Sequence, residues 1–319
     1  MTLLYTDNRF LNHDTGEHPE CADRLRAIQA RLRDSGLLKQ VQQIVPTAVT
    51  EAHIKLVHST KQVAAFDALA AKGGGRLDAD TVVSAESPSV ARLAAGAAVD
   101  AVSRVLNGED RQALCLIRPP GHHATASKAM GFCLLNNVSI AAKTAIAASS
   151  VNRILIVDWD VHHGNGTQEI FYNDPAVTFF SVHRHPFWPG SGLKTETGKA
   201  DGLGHTVNLP LPFETSRPEY FSAVRSSLET LADRIRPELI LISAGFDAHR
   251  LDPIGSLNLE TEDFQTLTEI VQQIAKVHCD GRIVSLLEGG YNTQKLADCV
   301  ETHLSTLIQN DLATGSVDG

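Results

Sequence analysis

The stretch Ile154-Leu155-Ile156-Val157-Asp158-Trp159-Asp160-Val161-His162-His163-Gly164-Asn165-Gly166 decides how the chain is read. Its first four residues are apolar, mostly branched and uncharged, the pattern of a strand buried on both faces of a parallel sheet. Side chains alternate along a strand, so Asp160 and His162, two apart, emerge on one side at its end. A carboxylate and an imidazole presented together form half of a divalent-metal site. Asp158, two residues earlier on the same side, is then free to support that site or to serve another cation. The competing reading is a polar strand-to-helix turn with a capping Asp, and the rest of the chain has to decide.

Working outward, apolar runs at 113–117, 154–157, 177–182, 239–243 and 283–287 read as strands. Helical patterns occupy 135–148, 217–235, 261–278 and 294–308. This alternation predicts an α/β fold whose central, mostly parallel sheet carries helices on both faces. No internal repeat or linker-like block divides the chain, so one catalytic domain is expected over 1–310, with 311–319 a flexible tail. The first hundred residues read as mainly helical. Pro19 suits the first turn of a helix through Leu25, Ile28 and Leu32. Ser59-Thr60-Lys61-Gln62 reads as a capping box for a helix ending before Gly73-Gly74-Gly75. Residues 78–87 read as a loop, and Pro88 opens a small-residue helix ending near Gly108. His13 and His18 read as loop histidines.

The composition narrows the functional classes. At 319 residues, 43% hydrophobic and 20% charged, the chain can bury a large core and has no signature of disorder. A net charge of −9 offers no basic footprint for nucleic acid or an anionic membrane. The five cysteines, an odd number without close pairs, suit a reducing compartment. The N-terminus meets a charge at Asp7, too soon for a signal peptide, and no apolar run reaches bilayer length. A soluble, cytoplasmic protein is expected.

The five predicted strands are each followed by an unusual segment: Arg118-Pro119-Pro120-Gly121-His122-His123, the opening stretch, His183 to Gly190, Ala244-Gly245-Phe246-Asp247, and Glu288-Gly289-Gly290-Tyr291. Parallel α/β sheets bind ligands at that edge, so these loops converge on one site. Asp247 can complete the metal set of Asp160 and His162, leaving a position open as catalytic zinc requires. His122 and His123, after a stiff Pro-Pro-Gly turn, can face a reacting water as base near neutral pH. Asp158 and Asn165 can fix the tautomers of those histidines. Tyr291, behind two glycines, can donate its phenol proton to a developing oxyanion. Phe132, with Gly131 before it, and Trp188 can wall a narrow apolar channel.

Together, Arg-Pro-Pro-Gly-His-His-Ala at 118–124, Gly-Phe-Cys at 131–133, the opening stretch, Ala-Gly-Phe-Asp at 244–247 and Glu-Gly-Gly-Tyr at 288–291 resemble the histone deacetylase superfamily. The resemblance spans about residues 13–305. Asn165 and the Glu-Gly-Gly-Tyr form resemble class II-type members and bacterial relatives. The resemblance implies a single-domain arginase/deacetylase-like α/β fold and zinc bound by Asp160, His162 and Asp247. It implies His123 as general base, with His122 a charged electrostatic partner. Asp158 then orients His122, Asn165 orients His123, and Tyr291 polarises the substrate carbonyl. Phe132, Gly131 and Trp188 are implied to line an acyl-lysine tunnel, where Trp replaces the usual Phe or Tyr. A structural potassium ion is implied at Asp158, Asp160, Ser181 and the carbonyls of His162 and Val182. A second monovalent site is implied at the carbonyls of Phe171 and Val177, with Asp174 nearby.

The expected function is zinc-dependent hydrolysis, by metal-activated water, of an acetyl or related acyl amide, above all N6-acetyl-lysine in proteins or peptides. An acetylpolyamine amidohydrolase is the enzymatic rival; some carry an acidic gatekeeper where Asp252-Pro253-Ile254-Gly255 presents Ile254. A binuclear manganese ureohydrolase needs a carboxylate two residues beyond His162, where Gly164 stands. An inactive acyl-lysine binding module is the reading from another class. The expected partners are acyl-lysine proteins or peptides, or a small acylated amine, without nucleic acid or membrane; homo-oligomerisation is left open.

Overall fold

The computed structural model describes residues 1–148 and 151–314. The chain opens with β1 (Leu3–Tyr5), α1 (Asp23–Asp34), β2 (Gln42–Ile44), α2 (Glu51–Ile54) and α3 (Thr60–Ala71). A small hairpin, β3 (Gly74–Arg76) with β4 (Val82–Ser84), precedes the long α4 (Ser87–Leu106). Strands and helices then alternate through β5 (Gln112–Cys115), α5 (Asn137–Ala147), β6 (Ile154–Asp158), α6 (Asn165–Phe171), β7 (Val177–Arg184) and β8 (Thr206–Leu211). The chain continues with α7 (Arg217–Ile235), β9 (Leu239–Ala244), α8 (Asp263–His278), β10 (Ile283–Leu287) and α9 (Thr293–Thr314).

Eight strands form one sheet in the order β2-β1-β5-β10-β9-β6-β7-β8, and every pairing in it is parallel. Helices cover the sheet: α4 packs on α5, while α1, α9, α8 and α7 pack in series. The inner strands are buried throughout, as their branched apolar runs require when helices lie on both faces. β5, β10, β9, β6 and β7 are consecutive in the sheet, so the five loops with unusual residues share one edge.

Several sequence expectations need correction. β1 and β2 have three residues each, and β2 is polar and largely exposed at the sheet's margin. Neither has enough length to show a period. β8 was missed because Pro210 interrupts its pattern, yet among the described residues β8 pairs with β7 alone, and an edge strand tolerates a missing N–H. The expected loop at 78–87 contains β4, which folds back on Gly74–Arg76. α1 begins at Asp23, so Pro19 lies before the helix rather than in its first turn. Ser59 accepts from the Gln62 amide at 3.2 Å, but the Gln62 side chain donates to the Leu134 carbonyl at 2.8 Å, so the capping box is only half made. α9 ends at Thr314, and 315–319 of the expected tail lie outside the described residues.

Candidate active site

The end of β6 presents Asp160 and His162, and the end of β9 presents Asp247; one donor atom from each lies within 4.8 Å of the others. His162 Nδ1 stands 3.1 Å from Asp160 Oδ1 and 3.0 Å from Asp247 Oδ2. Tetrahedral ligands at zinc distances would stand about 3.3–3.5 Å apart, so the set fits a small divalent cation with little movement. The second oxygens are already engaged: Asp247 Oδ1 accepts from Val161 N at 2.9 Å and Asp160 Oδ2 from Gly289 N at 2.8 Å. The loop after β10 comes so close that a Cβ at Gly289 would stand 2.4 Å from Asp247 Oδ2. Burial, followed by the neighbouring Asp160 charge, holds the Asp247 carboxyl above its ordinary range. Two fully buried carboxylates around one imidazole call for a shared positive charge. Among the described residues this is the one group of three such side chains able to hold a metal ion.

The histidine pair after β5 is buried beside this set, with ring centroids 3.8 Å apart. His122 Nδ1 lies 2.9 Å from Asp158 Oδ2, and His123 Nδ1 lies 2.8 Å from Asn165 Oδ1. Burial opposes charge on His122, but the Asp158 and Asp160 carboxylates outweigh it and raise its pKa to about 10. Burial, then the charges of His122 and His162, hold His123 well below the usual imidazole range. The two rings are thus pushed in opposite directions, His122 toward the cation by its carboxylate neighbours and His123 toward the neutral base by burial and the adjoining histidines.

A pocket of about 230 Å³ opens over these groups, lined by Asp80, His123, Gly131, Phe132, His162, Phe187, Trp188, Ile254 and Tyr291. Met130 and Cys133 bridge as an antiparallel pair around Gly131 and Phe132, whose φ angles are +56° and +68°. Positive φ at both central residues marks a type I′ turn, and it aims the Phe132 ring into the pocket. Phe132 meets Tyr291 edge-on at 5.7 Å and His18 at 4.5 Å; Trp188 meets His123 edge-on at 4.6 Å. Phe187 stacks on His162 at 5.1 Å and bears the Arg184 guanidinium at 4.3 Å. Burial, then the Asp247 and Asp160 charges, raise the Tyr291 phenol well above its usual range, so it keeps its proton.

A buried ionic network braces the floor. Arg118 donates to both Glu20 oxygens, and Arg24 donates to Glu20, to the Gly290 carbonyl at 2.6 Å and to the Glu288 carbonyl. Glu288 accepts from the Gly121 and His122 amides, tying the loops after β5 and β10 together. His13 belongs to this region: it lies in a loop, as expected, but is buried there, 2.7 Å from Ser87 Oγ.

The sequence-derived residues therefore converge, with two qualifications. Ser181 and Val182 are buried in β7, where Ser181 faces Asp158 across the β6–β7 register, and Ser181 Oγ stands 2.9 Å from His183 Nδ1. Asp174 pairs with Lys143 at 2.6 Å. Sequence reasoning missed Phe187 and Asp80 as pocket-lining residues. Phe187 adjoins Trp188, which drew attention as the larger ring, and Asp80 sits in the stretch read as an undefined rim loop.

Comparisons with known proteins agree with this geometry. A model of the histone deacetylase domain matches residues 18–307. A probable deacetylase of Archaeoglobus fulgidus is 40% identical over 297 residues, covering 92% of this chain and 82% of its own length. Histone deacetylase 15 of Arabidopsis thaliana is 36% identical over 317 residues, 96% of this chain and 56% of that protein. The crystal structure of the HDA15 HD domain superposes with a TM-score of 0.90 at 35% identity, covering 97% of this chain and 89% of that one.

Proposed function

The chain belongs to the histone deacetylase family, whose members hydrolyse acyl amides, and we propose that it removes acetyl or a related acyl group from N6-acyl-lysine in proteins or peptides. The observation that carries this reading is the pair of buried histidines, one on the Asp158 carboxylate and one on the Asn165 amide, beside a three-residue set able to hold a metal, under a narrow aromatic-walled pocket. Asp160, His162 and Asp247 would hold zinc. When bound, zinc supplies a Lewis acid that polarises the amide carbonyl and acidifies water.

The chain's own groups then divide the work. Phe132, Trp188, Phe187 and Ile254 exclude water and admit an extended aliphatic stem. Asn165 engages Nδ1 of His123, leaving the other ring nitrogen to take a proton from the attacking water. His122, kept cationic by Asp158, favours the negative charge that develops on the carbonyl oxygen, and the Tyr291 hydroxyl donates to that oxygen. The proton taken by His123 passes to the departing amine. A structural potassium ion at Asp158, Asp160, His162, Ser181 and Val182 is supported by the register that places Ser181 opposite Asp158.

His123→Ala and Tyr291→Phe should each nearly abolish turnover of a fluorogenic acetyl-lysine substrate while metal content is unchanged. Full activity in both variants contradicts the mechanism. One observation favours acetylpolyamines as a second substrate class: the Asp80 carboxylate lines the pocket and suits a distal ammonium. Relative turnover of N-acetylputrescine and an acetyl-lysine peptide separates the two.

A further inference from the structure

We propose that Asp252 is a positioning residue: its carboxylate clamps the backbone of Tyr291 to the turn that carries Ile254, so that phenol and pocket wall are set as one unit. The inference rests on the amide-hydrolase reading above. Asp252 Oδ2 accepts from Tyr291 N at 2.6 Å and from Asn292 N at 3.3 Å. Its Oδ1 accepts from Ile254 N and Gly255 N, both at 2.9 Å. One nearly buried side chain thus collects four backbone donors from the loops after two neighbouring strands, β9 and β10. Tyr291 and Ile254 both line the pocket.

The surroundings show why the phenol needs this clamp. Tyr291 lies in the two-glycine segment between β10 and α9, where Gly290 has φ +121° and the backbone bonds to the β9 side end at the Gly289 carbonyl, which accepts from Phe246 N at 3.0 Å. Arg24 holds the Gly290 carbonyl on one side of the Gly290–Tyr291 peptide, and Asp252 holds the Tyr291 N–H on the other. Asp252 is not needed as the cap of α9, because Asn292 Oδ1 already accepts from Lys295 N at 3.1 Å. The Ile254 turn is in turn tied to a metal ligand's backbone, since Ser256 N donates to the Asp247 carbonyl at 2.7 Å. Hydrogen bonds from amides to an ionised acceptor are the stronger kind, and an asparagine offers only one accepting oxygen. Asp252→Asn therefore keeps the shape but can serve only one of the two loops.

The test is a double-mutant cycle with Asp252→Asn and Tyr291→Phe in the metal-loaded protein, reading kcat and KM on an acetyl-lysine peptide. Asp252→Asn alone is expected to lower kcat roughly tenfold or more with KM little changed. In the Tyr291→Phe background it should lower the residual rate by less than about twofold, because its effect passes through the hydroxyl. Asp252→Ser is the second variant: its hydroxyl can still close the 252–255 turn but lacks the oxygen for Tyr291 N–H. In Asp252→Ser hydrogen exchange at the Tyr291 and Asn292 amides should accelerate, and in Asp252→Asn it should accelerate at one of the two amide pairs, 291–292 or 254–255. Independent, multiplicative losses in the cycle, or unchanged exchange at those amides, overturn the inference. A wild-type protein inert toward every acyl amide overturns the underlying reading instead, and the amide-exchange result still judges the clamp.

Discussion

Replacing Gly131 by alanine is expected to damage catalysis far more than stability. An alanine at φ +56° loses about 1 kcal/mol relative to glycine, which visits that region freely. The added Cβ would stand 2.5 Å from Trp188 Cη2 and 2.6 Å from His123 Cδ2. Carbon atoms settle at about 3.5–4.0 Å, so each ring must retreat by about 1 Å. Trp188 is 43% exposed on a loop and can give way; His123 is buried and held by Asn165. Any share of the movement taken by His123 shifts the base from its proton, and a misplacement of about 1 Å can lower a rate roughly a hundredfold. In a protein of this size the backbone term lowers Tm by only a few degrees. Steady-state kinetics on an acetyl-lysine peptide beside thermal unfolding separates the effects. A Gly131→Ala protein with kcat within about threefold of wild type refutes the claim that this turn dimensions the site.

Acid should unfold the chain well above the carboxylate range. Burial holds His13 and His58 at about 4 and His303 at about 3. With folded values depressed, the unfolded chain takes up these protons first, so stability is full above about pH 6.5 and falls as pH drops toward 4. At pH 5 each histidine removes about 2 kcal/mol, a combined loss of about 6 kcal/mol that denaturant titrations at pH 7 and pH 5 would reveal. Equal midpoints at the two pH values contradict the burial argument. Chelation should abolish activity, one equivalent of zinc should restore it, and Tm should climb with free zinc as linkage requires. Calorimetry finding two tightly bound divalent ions per chain contradicts the single three-ligand set.

What could be read from the sequence followed the strength of local patterns. The buried runs at β6, β9 and β10 stand at or within one residue of their expected bounds, since each is a short apolar block ended by a polar loop. The candidate metal-ligating residues and the histidine pair drew notice for the same reason: each lies in the loop that follows such a block. β8 was not, because Pro210 in an edge strand looks like a break until the neighbouring strand is known. His13 and Asp80 were not, because their roles depend on Ser87 and on the far side of a pocket. Asp252 drew notice only as the flank of Ile254; its meaning lies in two amides about 40 residues onward.

The sheet order bears on how the protein comes to life during synthesis. β5 and β6 end three strand spacings apart, about 14 Å, and the strands that fill the gap, β9 and β10, are translated only after both. A nascent chain holding Asp160 and His162 thus lacks Asp247 for some 85 residues and the phenol for over 40 more. Until that late insertion the partial site can neither grip its ion firmly nor perform chemistry. The catalyst is assembled at nearly the same moment as the centre of its own scaffold.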